Sequence, residues 1–170
     1  MKTLLTLITV LVPLTAAADS LPKPVQGLDC LVGTWKGSGT AAMGKDKAKI
    51  DATWTCKRVS AQWGVMCTFH VTGIPGVAAY EETDLMGYEP NTNTYHWYAV
   101  TNAGETHDHV AKASDGNTLQ FVFEGTQEGK PFKEVIDMDM AKDSKSLTGR
   151  SESFVAGASA GVLELKLRKS

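Results

Sequence analysis

The chain has no excess of either charge: 17 lysine and arginine residues nearly balance 19 acids, for a formal charge of −2 over 170 residues. Without a basic stripe to neutralise phosphates, a nucleic-acid partner is not expected. Fibrous repeats and runs of like charge are also missing, which excludes fibrous and disordered classes. No segment of about a dozen residues carries a helical apolar stripe, so parallel crossovers and dinucleotide-type folds drop out. Hydrolase signatures are absent: there is no G-x-S-x-G elbow and no H-E-x-x-H, and Ser151-Glu152-Ser153 has no neighbouring base. Gly33, Gly37 and Gly39 are not followed by the Lys-Ser/Thr of a phosphate loop.

The first residues have the order of an export signal. Lys2 precedes an apolar stretch, Leu4–Leu14, and Ala16-Ala17-Ala18 stands ahead of Asp19. This predicts a cleaved signal peptide over residues 1–18 and a periplasmic or secreted protein, because the apolar stretch is too short to span a bilayer permanently. Cleavage leaves about 150 residues, enough to form a core without disulfide staples.

Segment 19–30, with Pro22 and Pro24, reads as an arm followed by a short helical turn, and residues 31–170 read as one β domain. Period-2 alternation takes over from Leu31, Gly33, Trp35 and Gly37, then Ile50, Ala52, Trp54 and Cys56. Further strands are expected near 62–71, 78–89, 94–101, 105–113, 117–125, 132–140, 146–154 and 161–168. In the last, Leu163, Leu165 and Leu167 point inward between Glu164, Lys166 and Arg168. Short turns such as Asn102-Ala103-Gly104 and Ser114-Asp115-Gly116-Asn117 join antiparallel neighbours. About ten sequential strands must close or leave two bare edges, so an antiparallel up-and-down barrel is the expected all-β fold, with a sandwich as the alternative. A membrane barrel would show the same alternation with its faces reversed, but no terminal aromatic and no aromatic girdles are evident, so no stable membrane insertion is expected.

If the second hairpin turns at Ala61-Gln62, Cys56 falls opposite Cys67, close enough for a disulfide in an exported protein. The alternative is a pair of buried thiols. Cys30 is left over, with no basic neighbour to activate it. The stretch Leu28–Trp35, the pair Cys56 and Cys67, and Met86-Gly87-Tyr88-Glu89-Pro90 together resemble the exported bacterial family known as domain of unknown function 1579. The resemblance runs over residues 25–168, with Cys30 a departure from the aromatic or aliphatic residue usual there. It implies a calycin-like antiparallel barrel and no established activity. Gly33-x-Trp35 is also similar to the wider lipocalin group, where such a tryptophan closes one barrel end.

Three histidines, His96, His107 and His109, gather on the fifth hairpin. A two-residue turn at Ala103-Gly104 would place His96 opposite Ala111, His107 opposite Val100 and His109 opposite Tyr98, all on one face. Such a set is a candidate zinc or copper site. On this register the histidines face outward beside Gln120 and Glu124, and the inner face carries Tyr95, Trp97, Ala99 and Val110, then Leu119, Phe121 and Phe123. No cofactor is expected: nitrobindin-type barrels bind haem through a late histidine, and none follows His109. His70 reads as a hydrogen-bonded histidine beside the core. Glu81-Glu82 with Asp84, and Asp137 with Asp139, read as solvated faces rather than acid–base pairs. The loop Ala41–Ala48 reads as a lid, with Met43 able to fold over a ligand.

The expected function is a barrel that holds a small apolar molecule among Trp35, Trp54, Tyr95, Trp97, Phe121 and Phe123, with Tyr95 or Thr53 as a polar anchor. The alternatives are a barrel enzyme or metal protein using His96, His107 and His109, and a solid barrel whose surface binds partners.

Overall fold

The computed structural model describes residues 20–112 and 118–170. The expected signal segment and the turn Ser114–Asn117 lie outside the described residues. Helix α1 (Lys23–Gly27) and a 3-10 turn (Leu28–Leu31) precede ten strands: β1 (Gly33–Met43), β2 (Asp46–Val59), β3 (Gly64–Thr72), β4 (Tyr80–Glu89), β5 (Thr94–Thr101), β6 (Thr106–Lys112), β7 (Thr118–Gln127), β8 (Lys130–Met140), β9 (Ser146–Val155) and β10 (Ala158–Lys169). Each strand pairs with its chain neighbours, and β10 returns to β1, closing the barrel. Among the described residues closure leaves no strand without a neighbour on each side, so the sandwich is excluded.

The seam between β1 and β10 depends on two glycines. Gly37 pairs with Leu167 and Gly39 with Leu165. A Cβ on Gly37 would lie 1.9 Å from the Lys166 carbonyl oxygen, and one on Gly39 would lie 1.7 Å from that of Glu164. Only glycine lets the backbones approach this closely. Beyond them, β10 alternates as its sequence requires, with Leu165 and Leu167 buried inside.

One end of the barrel is plugged. Val25, Leu28 and Leu31 bury their side chains in it. Trp35, fully buried, donates its indole N–H to the Leu31 carbonyl at 2.7 Å, and Lys169 lies 4.7 Å over its ring while donating to the Cys30 carbonyl. Arg58 clamps the same segment, bonding Asp29 Oδ1 at 2.8 Å and the Val25 carbonyl at 2.7 Å. Cys56 and Cys67 pair across β2 and β3 and form a disulfide on the inner face. Cys30 sits half-buried in the plug, where burial raises its thiol pKa.

At the other end the strands are joined by turns that leave a mouth. Residues 41–48 are a tight hairpin and not a loose loop, with Met43 paired with Asp46 around Gly44-Lys45 and Gly44 at φ 60°, and Met43 borders the barrel's interior.

The fifth hairpin departs from the expected register. Thr101 and Glu105 are bonded across a three-residue loop, Asn102–Gly104, with Gly104 at φ 82°. Trp97 therefore pairs with His109, and Ala99 with His107. A shift of one residue turns every side chain of a strand to the other face, so His107, His109 and Ala111 enter the barrel and Val110 leaves it. Pairing of Val110 with Val122, rather than with the Phe121 that a two-residue turn at Asp115-Gly116 would set opposite it, shifts the next hairpin by one as well. The two shifts cancel at β7, and Phe121 and Phe123 share the inner side with Trp97 as the sequence suggested.

Candidate functional site

The barrel is hollow. A cavity of about 400 Å³ runs inward from the mouth, lined by apolar side chains that include Trp54, Phe69, Trp97, Ile136, Met138 and Leu165. Of the six expected lining residues, Trp54 and Trp97 border this cavity. Tyr95 and Phe121 border a second hollow of about 640 Å³ beside the plug, together with exposed Lys23 and Lys142. Trp35 belongs to the floor and Phe123 packs flat on His107, their centroids 4.1 Å apart. Tyr95 is a polar anchor for the plug instead, donating to the Pro24 carbonyl at 3.0 Å. Thr53 faces outward, paired with His70. His70 is half-exposed, 3.7 Å from Glu81, and not beside the core.

Two polar clusters stand in the cavity wall. The first is on β4. Asp84, fully buried, accepts the indole N–H of Trp54 at 2.9 Å and that of Trp97 at 2.8 Å, one on each oxygen. Trp54 and Trp97 stack at 5.8 Å to complete this arrangement. Glu82 hydrogen-bonds Asp84 and accepts the Tyr80 hydroxyl. Burial, then the bond to Asp84 and its charge, push the Glu82 carboxyl from 4.5 up to about 10, so it carries its proton at neutral pH. Burial and the neighbouring Glu82 raise Tyr80 as well. Glu82 and Asp84 are thus interior groups and not the solvated face expected of them, whereas Asp137 and Asp139 do face outward with Gln120 and Thr118 as partners.

The second cluster joins β6, β8 and β9. Glu134 Oε2 lies 2.9 Å from His109 Nε2 and 3.5 Å from His107 Nδ1, and Ser151 Oγ donates to Oε1. Burial alone would raise the Glu134 pKa, but bonds from His107, His109 and Ser151 outweigh it and hold the carboxyl well below its usual range. Aromatic rings pack on both imidazoles: Phe123 and Phe132 on His107, Trp97 on His109. His109 is 3% exposed, and its Nδ1 is buried without a partner. Ser151 donates to the Glu134 carboxylate and to no imidazole.

His96 does not join the other two histidines. It lies on the outer face, 3.1 Å from Asp108, and its expected place beside them is taken by Glu134. Sequence reasoning missed Glu134, although the signal exists. Phe132, Glu134, Ile136 and Met138 alternate along β8, and a lone acid in an apolar row is an interior acid that needs a partner.

These features define a lipocalin-like barrel of ten antiparallel strands, plugged at one end and hollow from the other. No family model and no curated protein matches the chain. Among solved structures it is similar to Rv2717c from Mycobacterium tuberculosis, with a TM-score of 0.65 and 14% identity over 89% of this chain and 99% of that one. It is also similar to the S-type phycobiliprotein lyase CPES from Guillardia theta, with a TM-score of 0.58 and 9% identity over 85% of this chain and 91% of that one. Both likenesses are of fold.

Proposed function

We propose that the protein is an exported barrel that binds a small, largely apolar molecule with one polar end. The observation that carries this reading is the cavity of about 400 Å³, within the roughly 300–1,000 Å³ range usual for small-molecule sites. Its apolar walls would take the body of the ligand. The wall holding His107, Glu134 and protonated Glu82 would take a hydroxyl, carbonyl or amide, since that wall offers both a donor and an acceptor. A neighbour of similar fold is a phycobiliprotein lyase, which supports a binding role without naming the ligand. Export is supported by the Cys56–Cys67 bond together with the signal-like first 18 residues. Among the described residues no helix is long and apolar enough to cross a membrane, and outward Lys166, Arg168, Asp137 and Asp139 would be costly in lipid. Membership of the domain of unknown function 1579 family is part of the same reading, carried by Leu28–Trp35 and Met86–Pro90.

Native mass spectrometry of protein purified from its own host tests the binding role. A retained small-molecule mass, released on denaturation, is the expected result. A bare chain that also fails to take up apolar fluorescent probes would overturn the proposal. N-terminal sequencing of the same material tests export, with Asp19 the expected first residue.

A further inference from the structure

The carboxyl groups of Glu82, Glu105 and Glu134 line one cavity that no described lysine lines. Arg150, at the cavity's edge, is taken up by Glu152 at 2.6 Å and approaches Glu164 at 3.8 Å. Asp84 is answered by two indole N–H groups, and Glu82 shares its proton with that cluster. Glu134 is met by His107, His109 and Ser151, with no lysine or arginine against it.

Three metal-ligating side chains converge at Glu134. One nitrogen from each of His107 and His109 and one oxygen of Glu134 lie within 4.8 Å of one another. Donors about 2.0–2.2 Å from a shared ion, at angles between octahedral and tetrahedral, are separated by roughly 3.0–3.5 Å. The observed separations from Glu134 Oε2 are 2.9 Å to His109 Nε2 and 3.5 Å to His107 Nδ1. Ser151 fixes the other carboxylate oxygen, as supporting groups around metal ligands commonly do, and the flanking rings of Phe123, Phe132 and Trp97 hold both imidazoles before any ion arrives.

We infer that His107, His109 and Glu134 form a binding site for a divalent first-row transition-metal ion of the zinc type, whose remaining coordination positions open into the cavity. Two imidazoles and one carboxylate suit Zn²⁺ and its neighbours and not Ca²⁺ or Mg²⁺, which prefer all-oxygen sites. Three protein ligands leave room for water or for a donor atom of a bound molecule. The site stands whether or not an apolar ligand is found, because it needs only these side chains.

The test is titration of chelator-treated protein, its disulfide intact, with Co²⁺ followed by visible absorption. The expected result is one equivalent of Co²⁺ with the intense bands of a low-coordinate protein-bound ion, displaced by Zn²⁺, and a raised melting temperature with either metal. His107→Phe keeps a ring against Phe123 and Phe132 but removes a donor, and should weaken Co²⁺ binding by more than about tenfold, since loss of even a supporting partner costs that much. His96→Ala, on the outer face, should change nothing. A wild-type spectrum identical to aqueous Co²⁺ with no thermal shift in excess Zn²⁺ would overturn the inference without recourse to any variant. Binding lost in His96→Ala and kept in His107→Phe would overturn it equally, by moving the metal to the surface.

Discussion

Trp97 and His109 face each other across the β5–β6 ladder, their rings 5.9 Å apart inside the barrel. Trp97 also donates its N–H to Asp84, so this single side chain touches both polar clusters of the cavity wall.

Replacing Trp97 with Phe tests what that bond contributes. A smaller aromatic ring remains and the donor is lost, leaving one oxygen of a fully buried carboxylate without its indole. Stability should fall by about 1–3 kcal/mol, the cost of an unsatisfied buried polar group. Urea unfolding with an unchanged m-value would show that the native state kept its compactness.

Gly149 offers a way to fill the hollow. It lines the cavity, its φ is not positive, and a Cβ there would meet nothing within 4 Å. Gly149→Leu should fold, gain roughly 1–2 kcal/mol from added buried apolar surface, and lose uptake of apolar probes. Unaltered probe binding, measured by tryptophan fluorescence, would place the ligand elsewhere.

Glu82 should make the protein less stable as pH rises. In the unfolded chain this carboxyl gives up its proton near 4.5, and in the folded chain only near about 10. Between these values the unfolded state binds fewer protons, so stability falls with increasing pH. Glu134 acts in the opposite sense on the acid side. Its lowered pKa contributes stability that is complete above about 4.5 and is lost as pH falls below it. Glu82→Gln keeps a donor for Asp84 and an acceptor for Tyr80 without the titration. Melting curves from pH 5 to 9 should slope downward for the wild type and be flatter for this variant.

Gly39→Ala should attack barrel closure. Its Cβ would collide with the Glu164 carbonyl, backbone against which no side chain can rotate away. A loss of about 3 kcal/mol is expected, at the upper end of overpacking effects. Hydrogen exchange should quicken first along β1 and β10. Gly44→Ala, in the β1–β2 turn, is a control, strained by its φ of 60° but free of any clash.

The strands were legible because each alternates along a barrel with one dry and one wet face, and the turn residues between them are chemically apt. The disulfide was legible because its hairpin is symmetric about Ala61-Gln62, whatever the exact turn: Val59 pairs with Gly64 around a longer loop, yet Cys56 still meets Cys67. The faces of β6 were not. Asn-Ala-Gly closes equally well as two residues or three, and local sequence does not settle which, although the choice inverts the strand. The interior acids of β4 were hidden for a related reason. Leu85, the apolar residue that suggests an inner face, is 50% exposed, while its acidic neighbour Asp84 is fully buried. What places Asp84 inside is the pair of indoles from β2 and β5, partners distant in the chain.

Loop Asn102–Gly104 gives this site an unusual relation to inheritance. Substitutions at the mouth can tune the cavity by degrees, but loss of one codon in this loop would exchange the faces of β6 at a stroke, presenting Thr106, Asp108 and Val110 to the interior and both histidines to solvent. Descendants of this barrel should therefore differ there by pairs of residues if they keep the histidine wall, and by single residues only if they have given it up.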